Sequence, residues 1–184
     1  MSDQKKLTGR TVVVLATDGF EDSELTSPRD AVSDAGATVV IATPGGDTIT
    51  GKNGTDVPAD ARTADIEAAT VDAILLPGGT SNADALRLDA DAVSLVRKVV
   101  TAGKPVGVIC HGGWILTDAD VLKGRTLTSF PSLKTDLINA GATWVDEEAH
   151  TCEGTGGAGT IVSSRTPDDL PAFNDAVVAA FASA

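Results

Sequence analysis

The feature that most constrains this chain is a series of short apolar runs that lack any alternating polar position. Residues 11–16 read Thr-Val-Val-Val-Leu-Ala, residues 73–76 Ala-Ile-Leu-Leu and residues 105–109 Pro-Val-Gly-Val-Ile. A strand with one wet face alternates apolar and polar side chains. An unbroken run belongs to a strand covered on both faces, as in a parallel sheet sandwiched between helices. Residues 38–42 and 160–163 have the same character, and shorter strands are predicted over 125–129 and 143–145. The segments between them read as helices. One starts with Ser27 as cap and Pro28 at the first helical position and ends at Gly36. Another spans 90–102, with Val93, Val96, Val99 and Val100 on one face. Further helices are predicted from Trp114, over 133–140 and over 168–182. Residues 48–50 and 55–57, joined through Gly51-Lys52-Asn53-Gly54, predict a small hairpin. Strands alternating with helices imply an α/β sandwich with a mostly parallel sheet. The glycine-rich stretch 153–159 is the loop expected to be mobile.

The 184 residues fit one domain, with about 1–9 as a flexible N-terminal segment. Aromatics are only 3% of the chain, so Val, Ile, Leu and Ala must fill the core. No apolar run reaches the roughly 18 residues that cross a bilayer, and the polar start has no signal-peptide core, so a cytoplasmic protein is expected. The net charge is −12, and 20 of the 26 acidic residues are Asp. Such a surface repels nucleic acid and anionic membranes. Abundant Asp with few Lys is also the composition of proteins from salt-accumulating organisms, so a halophilic source is expected. The two cysteines, Cys110 and Cys152, read as free thiols. With only His111 and His150 beside them, no metal centre or cofactor is expected.

Ligands of an open α/β sheet bind beyond the carboxyl ends of its parallel strands. Three segments converge there: Asp18-Gly19-Phe20-Glu21-Asp22, Pro77-Gly78-Gly79 and Cys110-His111-Gly112. Cys110, at a strand-to-helix turn, is the candidate nucleophile, and the following helix start should favour its thiolate. His111 is the candidate general base, although neighbours on such a turn usually point apart. Glu21 is the candidate carboxyl beside the sulfur, with a pKa raised by desolvation. The backbone N–H groups of Gly79 and His111 could form an oxyanion hole. Cys152, Trp114 and Trp144 read as structural.

These segments, together with Glu24-Leu25, Pro28, Lys123-Gly124-Arg125, Asn139-Ala140-Gly141-Ala142 and Ser164 to Leu170, resemble the PfpI family over residues 10–182. The resemblance implies a flavodoxin-like three-layer sandwich of the class I glutamine amidotransferase superfamily. It implies Cys110 as nucleophile with His111 and Glu21, and oxyanion-hole amides from Gly79 and His111. It also implies a third acid from a neighbouring subunit, for which Asp84 is the nearest candidate, and hence a homo-oligomer, a dimer or hexamer. The chain departs from the family pattern at Gly113, where Pro is frequent. Two activities follow from such a site: peptide hydrolysis, as in an intracellular protease, or glyoxalase or deglycase chemistry on aldehydes such as methylglyoxal. The non-enzymatic alternative is an oxidative-stress sensor, with Cys110 oxidised beside a protonated acid.

Overall fold

The structure, a computed structural model, describes residues 5–184. In chain order its elements are β1 (Thr11–Leu15), α1 (Asp22–Asp34), β2 (Thr38–Thr43), β3 (Ile49–Thr50), β4 (Asp56–Val57), β5 (Ala61–Arg62), β6 (Ala73–Leu76), α2 (Thr80–Leu86), α3 (Ala90–Thr101), β7 (Val106–Ile109), α4 (Trp114–Asp118), β8 (Thr126–Leu127), α5 (Lys134–Asn139), β9 (Thr143–Trp144), β10 (Ala149–Cys152), β11 (Ile161–Ser164) and α6 (Leu170–Ser183). The central sheet runs β10-β11-β7-β6-β1-β2-β5. Its neighbours are parallel except β10 and β11. The β3–β4 hairpin is antiparallel, and β8 and β9 form a small parallel pair. This is the α/β flavodoxin-like sandwich expected from the unbroken strands.

Each strand feeds two cores. Val13 and Leu15 of β1 pack with Leu95, Val96 and Val99 of α3 and Leu116 of α4. Val12 and Val14 pack on the other face with Leu25 and Val32 of α1 and Phe173 and Val177 of α6. The period-2 alternation of side chains therefore places apolar groups in both layers, which is why no polar residue interrupts the run. From β1 the chain turns one way to β2 and later the other way to β6, so a crevice opens at the carboxyl ends of β1 and β6.

Four local expectations are corrected. Helix α1 begins at Asp22 rather than at Ser27, so Pro28 lies inside it. With no N–H, Pro28 leaves the Glu24 carbonyl without its usual helical donor; burial of Pro28 against the sheet offsets that loss. The segment after Pro77-Gly78-Gly79, to which the sequence reading gives no element, is helix α2. Strands β5 and β10 form sheet edges that composition did not mark. Finally, part of the N-terminal segment expected to be flexible is docked: Leu7 is fully buried and its N–H donates to Ala35 O at 2.9 Å. Residues 1–4 of that segment lie outside the described residues. Among the described residues no helix is long and apolar enough to cross a membrane.

Candidate active site

The three segments converge as expected, around a cavity of about 440 Å³ lined by Glu21, Glu24, Lys52, Gly79, Cys110 and His111 among others. Cys110 follows β7 directly and adopts φ 60°, a left-handed conformation that non-glycine residues rarely take. That turn lifts the side chain out of the strand line. Cys110 is 8% exposed, and its sulfur meets the backbone N–H groups of Gly79 and His111. These are the two amides named from the sequence. His111 does not point away: its Nδ1 lies 3.3 Å from Cys110 Sγ. The ring stacks on Phe130 with centroids 4.7 Å apart, and Trp114 meets it edge-on. Nε2 reaches the hydroxyls of Ser132, at 3.3 Å, and Thr80, at 3.5 Å.

The carboxyl beside the sulfur is Glu24, not Glu21. Glu21 caps the start of α1 and turns to the hairpin, where it pairs with Lys52 and accepts a 3.4 Å hydrogen bond from Asn53 Nδ2. Glu24, one turn further, lies on the inward face of α1 with Leu25, Pro28 and Val32 and is 2% exposed. Its Oε2 accepts the Gly78 N–H at 2.9 Å, and the carboxyl is hydrogen-bonded to the Cys110 side chain. Oε1 is buried without a hydrogen-bond partner, so the neutral, protonated acid is favoured here. The approach is close enough to require glycine at position 78. A Cβ there would collide with Glu24 Oε2 and lie 2.7 Å from Cys110 Cβ.

Burial pushes Glu24 up to about 7, further raised by nearby Glu21 and opposed by its hydrogen bonds to Cys110 and Gly78 and by Lys52. Burial likewise pushes the Cys110 thiol up to about 12, with the Glu24 charge adding to it. The thiolate preference expected from the following helix is therefore overturned for the resting site. The chain after Cys110 is a short 3₁₀ turn leading into a five-residue helix, and desolvation beside a carboxylate outweighs the two amides. The sulfur and Glu24 form one coupled pair. When Glu24 takes the proton, the charge that opposes the thiolate is gone. Burial and Lys52 lower the His111 pKa, which keeps the ring neutral near pH 7.

Several participants were not anticipated. Glu24 was hidden by the misplaced helix start: once α1 begins at Asp22, Glu24, Pro28 and Val32 fall on one i, i+4, i+8 stripe. Lys52 comes from the hairpin, which Asp22 pins by accepting the Asn53 and Thr55 N–H groups at 2.9 Å each. Asn82 of α2 is fully buried and ties the Pro77-Gly78 turn to β1. It accepts from Thr17 N at 2.7 Å and donates to Pro77 O and Gly78 O. Asp84, the expected third acid, is exposed on α2 and makes no hydrogen bond to His111. Cys152 lies on the edge strand β10, where its sulfur accepts from Thr126 N at 3.4 Å.

The comparisons with known proteins agree with this architecture. The DJ-1/PfpI family profile matches residues 10–180. A Bacillus subtilis protein named "Putative cysteine protease YraA" is 45% identical over 166 residues, covering 90% of this chain and 94% of its own. Protein/nucleic acid deglycase 2 of Escherichia coli is 45% identical over 167 residues, with the same coverage. The crystal structure of Drosophila melanogaster DJ-1beta superposes with a TM-score of 0.83 at 24% identity, covering 95% of this chain and 91% of that one. A profile spanning nearly the whole sequence, relatives at this identity and a shared sandwich around Cys110 lead to one conclusion: the chain belongs to the DJ-1/PfpI family.

Proposed function

We propose that this chain is a cysteine-dependent enzyme acting on reactive aldehydes such as methylglyoxal and on their adducts, a glyoxalase or deglycase. The observation that carries this reading is the Cys110–Glu24 pair at the wall of a small cavity, with Gly79 and His111 amides on the sulfur. The names of the relatives, deglycase and cysteine protease, agree with an enzyme of this kind.

The chemistry follows from the positions. The Cys110 thiolate attacks the aldehyde carbon; a C–S bond forms and the carbonyl π electrons move to oxygen, which takes the proton held by Glu24. In the resulting hemithioacetal, neutral His111 removes the C1 proton and returns it at C2 through an enediol, while the Glu24 carboxylate carries the C1 hydroxyl proton to the C2 oxygen. The product is a thioester of lactate. Water then forms a C–O bond as C–S breaks, releasing lactate and the thiol, so methylglyoxal plus water gives lactate. For peptide hydrolysis the leaving amine needs a proton from a charged imidazole. A His111 held neutral by burial and Lys52 disfavours that step within one chain. A homo-oligomer bringing Asp84 of another copy to His111 would relieve the shortage, and belongs to this proposal as its peptidase variant.

The test is purified protein assayed on methylglyoxal and on casein, wild type beside Cys110→Ser. Lactate formation that vanishes in Cys110→Ser supports the aldehyde reading. Casein cleavage without lactate transfers the assignment to a peptidase. Turnover that survives Cys110→Ser removes the sulfur from the mechanism altogether.

A further inference from the structure

Arg125 carries a charge that the site above does not use. It stands just before β8 and is only 6% exposed, yet its guanidinium makes no hydrogen bond or ion pair among the described residues, and its Nη1 is fully enclosed without a partner. A nearly buried cation without a partner is costly, and an anion meeting the guanidinium nitrogens that are not enclosed would offset that cost. Arg125 is among the residues that line a second cavity of about 200 Å³, together with Val100, Thr101, Asp120, Lys123 and Thr155. This cavity lies by the C-terminal end of α3, just before the start of β7, whereas Cys110 follows the end of β7.

We propose that this cavity binds a small oxyanion of the phosphate class. A planar guanidinium beside an ammonium matches tetrahedral oxyanions, since it offers paired donors and two positive charges. Two cations face one acid, Asp120, in a chain whose net charge is −12, so the local excess of positive charge runs against the rest of the molecule. At the end of α3, Val100 O accepts the N–H groups of Gly103, at 3.1 Å, and Gly159, at 2.7 Å. Thr155, which also lines the cavity, leads into Gly156 and Gly157, both with positive φ. The volume accommodates inorganic phosphate or the phosphate end of a small ester.

Thermal unfolding of the full chain in potassium phosphate, glycerol 3-phosphate and potassium chloride at matched ionic strength tests the proposal. A ligand that binds only the folded state raises Tm in a saturable way. Phosphate or glycerol 3-phosphate should do so beyond chloride, equally in wild type and Cys110→Ser, which separates this site from the active site. A response to glycerol 3-phosphate alone assigns the site to a monoester; a response to both assigns it to the phosphate group itself. Lys123→Ala, a surface change, should weaken the apparent affinity about tenfold or more, and Asp120→Asn should strengthen it. Arg125→Met should abolish the response while folding at least as well in ligand-free buffer, because it deletes a buried unpaired charge. The proposal falls if neither phosphate exceeds chloride, or if the response is undiminished in Lys123→Ala. It also falls if Arg125→Met responds as wild type does.

Discussion

Glu24 and Cys110 share one desolvated pocket in which the carboxyl is hydrogen-bonded to the sulfur; Glu24 raises the proton affinity of the thiol, while the hydrogen bond to Cys110 holds that of Glu24 below what burial alone would give. This coupling assigns the acid role to Glu24. Glu24→Gln keeps the shape and removes the transferable proton, so kcat/KM on methylglyoxal should fall by about 100-fold or more. Glu21→Gln breaks an ion pair whose lysine is exposed and removes a charge that only adds to the Glu24 shift, so it should cost less than about tenfold. Equal losses in the two variants would return the role to Glu21.

The same pair sets a pH dependence of stability. The Glu24 pKa rises from an ordinary 4.5 to about 7 in the folded chain. The native state therefore holds a proton that the unfolded state releases, and stability falls as pH climbs from about 4.5 through 7. Cys110, raised from 9 to about 12, adds a second loss between those values. Urea unfolding of wild type and Glu24→Gln across pH 5–8 should show the lower step in wild type only.

Lys52 lowers the proton affinity of Glu24 and of His111. Lys52→Met should therefore move both limbs of the pH–rate profile toward alkaline values while changing stability by about 1 kcal/mol, as for a pair whose cation is exposed. A profile left in place would remove Lys52 from the electrostatics of the site.

Asn82 is fully buried and spends three hydrogen bonds on Thr17, Pro77 and Gly78. Asn82→Ala should destabilise the chain by about 2–4 kcal/mol, since buried partners are left unpaired. It should also loosen the turn that presents the Gly79 amide, which a drop in kcat larger than any change in KM would report.

With a net charge of −12, self-repulsion opposes the compact state at low ionic strength. Tm should rise as potassium chloride increases through the range in which the Debye length shrinks from about 30 to 3 Å. A flat response would withdraw the expectation of a halophilic source.

Much of the site could be read from the chain because unbroken apolar strands imply a parallel sheet, and such a sheet gathers the residues that follow its strands. Cys110, His111 and Gly79 were located by that logic alone. Glu24 was not, because Ser27-Pro28 has the local chemistry of a helix start, whereas tertiary packing carries α1 six residues further back and accepts a proline inside it. Lys52 escaped for a different reason. Its hairpin reaches the site through Asp22, a contact between segments some thirty positions apart that no periodicity records. The protonation of Cys110 was misjudged because the helix dipole is visible in a sequence and the depth of burial is not.

Asp22 and Glu24 stand two residues apart on the same turn of α1, yet their proton affinities differ by orders of magnitude: hydrogen bonds from the hairpin hold Asp22 down to about 2, while burial lifts Glu24 to about 7. Mild acidification thus reaches only one of them. At pH 5 the latch that keeps the Lys52 arm over the cavity stays closed while the reacting centre has already changed its charge, so this short stretch of backbone keeps architecture and reactivity on separate dials.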